Sequence, residues 1–284
     1  MSRSQGGAER PPAPGASEAL LVRLAEELAK AARARIPAPL LSRRHPELTL
    51  ADAYRVQQIS TGWSLRAGAR VAGHKVGLTS AAMQEQMGIH EPDSGVVLDH
   101  MVAPSGSSLY ASDFMNPRIE TEIAFRLGRD LTGTADLEDV APAVAEVFLA
   151  FEILDTRFPD WDITLVDSVA DNAACAGVVI GGPIPFAPAW DLSAEQITVT
   201  ANGTLAGAGQ GRDILGDPLR ALLWLTRRLS RLGTGLRAGD IVLAGSVHAS
   251  LPLLPGTHFR ATSTRLPAIN LHVLPADVES EDLC

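Results

Sequence analysis

The reading of the chain turns on Arg118-Ile119-Glu120-Thr121-Glu122-Ile123-Ala124-Phe125, where apolar and polar residues alternate. Such alternation predicts a strand with Ile119, Ile123 and Phe125 on one face and Glu120 and Glu122 together on the other. If the carboxylate face meets solvent, the pair is a solvated strand edge. If it is enclosed, the mutual repulsion demands a cation, and an all-oxygen set suits Mg²⁺ or Mn²⁺ rather than zinc. A third carboxylate would decide the matter, and Glu152 is the candidate. It is the lone charge after five apolar residues in the run Val147 to Leu154, and glutamate is rarely buried without a partner. An exposed position, or an ion pair with an arginine such as Arg157, stays open for it.

Outward from this pair, the downstream sequence reads as sheet: AEVFLAFEIL, ACAGVVIGG and ITVTANGTLAG are strand-like, and the last part gives several short strands broken by Pro and Gly. Helical spacing governs the N-terminal side. Leu20, Leu21, Leu24 and Leu28 predict an amphipathic helix from Ser17, closed by Pro37 and Pro39. Thr49 caps a second helix that stops near Gly68, and SAAMQEQMG forms a short third. Asp217-Pro218 opens a late helix that Gly233 ends. The expected organisation is a disordered low-complexity tail over 1–16, a helical part over 17–70 and a β-rich core over 71–284. The fold class is α+β, with no internal repeat.

The chain has 284 residues, 46% hydrophobic and 20% charged, enough for a sizeable core. A net charge of −9 has the wrong sign for a nucleic-acid partner. Cys175 and Cys284 suggest neither a disulfide framework nor a zinc site, which fits a reducing cytoplasm. No stretch has the length of a membrane span or signal-peptide core, so a soluble protein with no membrane partner is expected. No G-x-S-x-G, P-loop or G-x-G-x-x-G motif is present. Gly207-Ala208-Gly209-Gln210-Gly211 reads as a hairpin loop.

The basic residues comprise 22 arginines and only two lysines, Lys30 and Lys75. Lys75 lies in the apolar, Gly-flanked run VAGHKVGLTS, where a lysine whose pKa falls on desolvation would suit proton transfer. Asp93 follows in Pro92-Asp93-Ser94-Gly95, which also reads as a turn. His74, His90 and His248 show no metal-ligand spacing.

Taken in order, GHKVGLTS, EPDSGVVLDHM, RIETEIAFRLGRDL, FEILDTRFPDW, VADNAACAGVVIGG, GDPLRALLWL and GDIVLAGS resemble the 2-oxopent-4-enoate hydratase and 4-oxalocrotonate decarboxylase family of the fumarylacetoacetate hydrolase superfamily. The resemblance runs from about Tyr54 to the last strands. It implies a mixed β-sheet roll with peripheral helices, a divalent metal (Mg²⁺ or Mn²⁺) held by Glu120, Glu122 and Glu152, and proton transfer by Lys75 and Asp93. It further implies a substrate wall including Leu78, Ala174, Ser246 and His248, and a cytoplasmic homo-oligomer. The implied reaction adds water to a 2-hydroxy-2,4-dienoate to give a 4-hydroxy-2-oxo acid, as in meta-cleavage aromatic catabolism. Decarboxylation of a 2-oxo-dioate, C–C hydrolysis of an acylpyruvate, or a repurposed homologue are the alternatives. Two positions depart from the family pattern: Ala174 stands where a serine is expected, and His248 where a small hydroxyl residue is expected.

Overall fold

The computed structural model describes residues 15–275. The segment 1–14, most of the predicted tail, and Cys284 lie outside them. Ala16, assigned to the tail by sequence, donates its N–H to Asp52 Oδ1 at 3.1 Å and packs in the helical cluster.

Helices α1 (Glu18–Ala34), α2 (Leu41–Arg44) and α3 (Leu50–Arg66) come first. Ser17 and Thr49 cap α1 and α3, Thr49 through a reciprocal box with Asp52. Strand β1 (Val71–Gly77), helix α4 (Ala81–Met87) and strands β2 (Asp93–Leu98), β3 (Val102–Pro104), β4 (Ser108–Tyr110) and β5 (Arg118–Leu127) follow. Next come α5 (Leu137–Ala143), β6 (Val144–Leu154), α6 (Leu165–Ala170), β7 (Cys175–Ile180), β8 (Ile184–Pro185), β9 (Gln196–Ala201) and β10 (Thr204–Gln210). Helix α7 (Pro218–Arg231) leads to β11 (Ile241–Ser246), β12 (Leu251–Pro252), β13 (His258–Ser263) and β14 (Ile269–Leu274). Asp217 caps α7 and Pro218 stands at its start, where a missing N–H costs nothing.

The larger sheet runs β2-β1-β11-β5-β6-β7-β3, with β12 added to β5 and β8 to β6. The smaller runs β10-β9-β13-β14-β4. Both are mixed, since β1–β11, β3–β7 and β4–β14 are parallel and the other pairs antiparallel. This is an α+β architecture. Ile119, Ile123 and Phe125 of β5 join Leu149, Phe151 and Ile153 of β6 in the main core, which extends to the smaller sheet through Val199, Phe259 and Leu271. On the other face Ala124, Phe148, Ala150, Val178 and Leu243 form a second, smaller cluster. The N-terminal helices share a third with Phe158, Ile163 and Val169.

The Gly207–Gly211 run is strand rather than hairpin loop up to Gln210. A Cβ at Gly209 would lie 2.1 Å from the Val247 carbonyl oxygen, so this glycine lets β10 of the smaller sheet approach the backbone that follows β11 of the larger. The turn between β9 and β10 is Asn202-Gly203, both at positive φ.

Strand β1 carries a tight packing constraint. A Cβ at Gly73 would stand 1.9 Å from the Ile241 carbonyl oxygen. Gly73→Ala is expected to cost at least about 3 kcal/mol in chemical denaturation. Gly182→Ala, whose Cβ would meet only Pro267 at 3.7 Å, is expected to cost less than about 1 kcal/mol. Equal costs would contradict the constraint. His74, next in β1, is 7% exposed and held neutral: burial brings its pKa down to about 4. The unfolded chain therefore takes up a proton that the folded chain refuses as pH falls from about 6.5 to 4. Stability should drop by about 2–3 kcal/mol between pH 7 and 4.5 on this account alone. His74→Gln should flatten that part of the urea-denaturation pH profile, and an unchanged slope would refute the assignment.

Candidate metal and acid–base site

Strands β5 and β6 are paired so that Glu120 faces Glu152 directly and Glu122 faces Ala150. Alternation puts all three glutamates on the face opposite Ile119 and Phe151. They are 3%, 0% and 0% exposed in the order Glu120, Glu122 and Glu152, so the solvated-edge reading fails. One carboxylate oxygen from each lies within 4.8 Å of the others. Glu122 Oε2 accepts the Gly245 N–H at 2.5 Å, but among the described residues Glu122 Oε1 and both Glu152 oxygens have no hydrogen-bond partner.

Strand β1 brings Lys75 to this face. Its Nζ lies 3.3 Å from Glu152 Oε1 and 4.0 Å from Asp93 Oδ1. Asp93 is not in a turn; it opens β2, pairs with Gly77 and is 2% exposed. Ser168 Oγ donates to Asp93 Oδ2 at 2.7 Å, leaving Oδ1 unpartnered. Gly77 makes the convergence possible, because a Cβ there would lie 2.3 Å from Asp93 Oδ1 and 3.0 Å from Lys75 Nζ.

The electrostatics follow from burial. Burial, reinforced by the Glu152 charge, pushes Glu120 up to about 8 and holds Glu122 well above the carboxylate range. Burial alone would lower Lys75, as the sequence reading expected. Glu152 and Asp93 more than offset it and raise the ammonium's pKa above its ordinary value, so the site holds Lys75 charged. Four buried carboxylates thus face a single ammonium. The unpartnered oxygens and the all-carboxylate donor set fit a hard divalent cation.

The remaining sequence candidates divide. Ser246 pairs with Glu122 in the β5–β11 register and is 1% exposed, with its hydroxyl donating to the His248 carbonyl at 2.7 Å. Leu78 follows Gly77 at φ 59° and packs with Met83 and Ile89. Ala174 ends three successive left-handed residues, Asn172, Ala173 and Ala174, at φ 56°, 50° and 56°. The Asn172 side chain pins this turn to β2, accepting from Val96 N at 2.8 Å and donating to Val96 O at 2.9 Å. His248 does not join the carboxylates. Its Nε2 lies 2.9 Å from Thr121 Oγ1 and its Nδ1 2.8 Å from Ala249 O. Thr121 alternates to the other face of β5, which carries the imidazole away from Glu120 and Glu122. His90 is exposed and His74 points to the opposite side of β1 from Lys75.

Sequence reading missed Ser168, which holds Asp93, and Cys175. Burial and the adjacent Glu152 carboxylate push the Cys175 thiol well above its ordinary value. Neither carries a local pattern; the lone cysteine in an otherwise strand-like run was the available signal for the second.

Residues 65–274 match the family described as fumarylacetoacetate hydrolase, C-terminal. The chain is 39% identical over 237 residues to 2-keto-4-pentenoate hydratase of Paraburkholderia xenovorans (strain LB400), covering 83% of this chain and 88% of that protein. It is 39% identical over 229 residues to 2-hydroxyhexa-2,4-dienoate hydratase of Comamonas testosteroni, covering 80% and 86%. Among solved structures, 4-oxalocrotonate decarboxylase from Pseudomonas putida G7, complexed with magnesium and adipate, superposes with a TM-score of 0.87 at 28% identity, covering 92% of this chain and all of that one. A strand pair presenting three buried glutamates to one lysine, on a chain matched over most of its length, belongs to the fumarylacetoacetate hydrolase family.

Proposed function

We propose that this protein is a metal-dependent hydratase that adds water to a 2-hydroxy-2,4-dienoate, the enol of a 2-oxo-4-enoate, to give a 4-hydroxy-2-oxo acid. The observation that carries it is the buried trio Glu120, Glu122 and Glu152, with Glu122 Oε1 and both Glu152 oxygens free of hydrogen bonds among the described residues, beside Lys75 and Asp93. The similarity to named hydratases supports the same reading. The three glutamates would hold Mg²⁺ or Mn²⁺, which when bound supplies a Lewis acid and a template for a 2-oxo acid head.

The chain's own groups divide the proton work. Asp93 has one oxygen fixed by Ser168 and the other unbonded beside Lys75, the geometry of a base that takes the C2 hydroxyl proton. Lys75, held charged by Glu152 and Asp93, is the donor that delivers a proton to C5 as the dienol becomes a 2-oxo-3-enoate. Water then adds at C4 of that conjugated ketone, with the proton on C3 completing the 4-hydroxy-2-oxo acid. Leu78, Ala174 and Ser246 stand at the ends of β1, before β7 and in register with Glu122, and we assign them to the substrate wall. A reducing cytoplasm suits the free, buried Cys175, and we infer a homo-oligomer from the family resemblance.

Decarboxylation of a 2-oxo-dioate is the second reading, favoured by the similarity to 4-oxalocrotonate decarboxylase over 92% of the chain. The same residues would stabilise its enolate, so product identity separates the two. With Mg²⁺ or Mn²⁺, 2-hydroxypenta-2,4-dienoate should gain water by mass, whereas 4-oxalocrotonate should not lose CO₂; the opposite pattern would replace the hydratase by the decarboxylase. Lys75→Arg should lower kcat at least 100-fold while metal binding persists, because the donor atom is displaced in a site without slack. Near-normal turnover would remove Lys75 from proton transfer.

Metal binding has its own readout. Saturating Mg²⁺ should raise the stability of the unsubstituted protein by about 2.7 kcal/mol at a hundredfold excess over Kd. Glu122→Gln should abolish this rise yet leave the EDTA-treated protein at least as stable, since one of the repelling carboxylates is gone. Thermal shift with and without EDTA reads both, and a retained Mg²⁺ response would exclude Glu122 as a ligand.

A further inference from the structure

Alternation along β5 places Arg118 on the same face as Glu120 and Glu122, one two-residue step of about 6.6 Å outward from Glu120. Its guanidinium is partly buried and held in place by protein groups that carry no charge. Nη2 donates to the Ser250 carbonyl at 3.1 Å, and Cζ lies 5.8 Å from the centre of the Trp161 ring. Both supports are themselves fixed. Gln86 brackets Ser250, accepting from its N–H at 2.9 Å and its hydroxyl at 3.0 Å and donating to its carbonyl at 3.2 Å. Trp161 Nε1 donates to Asn116 O at 3.2 Å.

What Arg118 lacks is a carboxylate in contact with it, Glu120 on the same face acting on it only through space. Among the described residues no carboxylate comes within 4.0 Å of it, and its Nε is buried with no acceptor. Other partly buried arginines are answered: Arg157 pairs with Asp171, Arg126 with Glu146 at 2.9 Å, and Arg228 meets Glu91 at 3.9 Å. A desolvated guanidinium without a hydrogen-bonded anion is costly, and its planar fork is the group best shaped for two-point binding of a carboxylate. Trp161 and Ser250 keep that fork rigid, so little side-chain freedom is lost when an anion arrives.

We propose that Arg118 is a substrate-binding residue that receives a carboxylate of the bound acid. The proposal rests on the reading of Glu120, Glu122 and Glu152 as the site of a 2-oxo acid head. The carboxylate is either that of the head or one at the far end of a dioic substrate, and two unreactive ligands of equal chain length separate the sources: 2-oxohexanoate and 2-oxoadipate.

The test is isothermal titration of both acids into the full-length protein with saturating Mg²⁺, for the unsubstituted protein, Arg118→Gln and Arg118→Lys. Arg118→Gln is expected to weaken binding at least tenfold, and Arg118→Lys, which keeps the charge but not the fork, by less. Weakening of 2-oxoadipate alone assigns Arg118 to a terminal carboxylate; equal weakening of both assigns it to the head. Affinities within twofold of the unsubstituted protein would overturn the proposal and leave the site reading intact. Failure of the unsubstituted protein to bind either acid would overturn both. A purely structural Arg118 would lower the melting temperature of Arg118→Gln without lowering either affinity, and the retained Mg²⁺ thermal shift shows that the variant is folded.

Discussion

Three glutamates that cannot be solvated and cannot neutralise one another set the terms for the rest of this molecule. Glu120, Glu122 and Glu152 are packed into the face of a sheet whose neighbouring side chains are Ala124, Phe148, Ala150 and Val178. Burial of that much like charge is unfavourable unless protons or cations answer it. Lys75 answers part of it, which is why Gly77 leaves room for its ammonium and why a lysine in this arginine-rich chain occupies β1. The rest of the imbalance is what fits the site for a divalent cation.

The surrounding scaffold shows where backbone geometry serves this arrangement. Gly245, at φ 108°, aims its N–H at Glu122 and leaves space that Thr79 fills. Asn172, Ala173 and Ala174 hold left-handed conformations that cost about 1 kcal/mol or more each outside glycine. That expense is met by the Asn172 bridge to Val96 and by the N–H of Asp155, which donates to Ala174 O at 2.9 Å. The chain enters β7 from this turn, bringing Cys175 next to Glu152. Ala174, where the family resemblance expects a serine, thus ends a left-handed turn rather than an ordinary loop.

The two departures from the family pattern have different weights. Ala174 ends the left-handed turn that leads into β7. His248, by contrast, is a satisfied side chain on the far face of β5, bonded to Thr121 and Ala249. The family resemblance places both in one substrate wall; in the structure His248 bonds to Thr121 on the face of β5 opposite Glu120 and Glu122.

Local sequence alone determined the elements and the chemistry they could hold. The period of RIETEIAF defined a strand and a carboxylate face, Thr49, Asp217 and Pro218 marked helix starts, and the solitary Glu152 and Lys75 stood out from their apolar surroundings. These are short-range properties, fixed by residue type and spacing along a few turns or strand steps. Whether the face was wet or dry, whether Asp93 was a turn or a buried strand residue, which way the Lys75 pKa moved, and that Arg118 has no carboxylate within 4.0 Å among the described residues were decided only by tertiary structure. Each depends on what lies within a few ångströms across strands distant in sequence, because desolvation and Coulomb energy act through space and not along the chain.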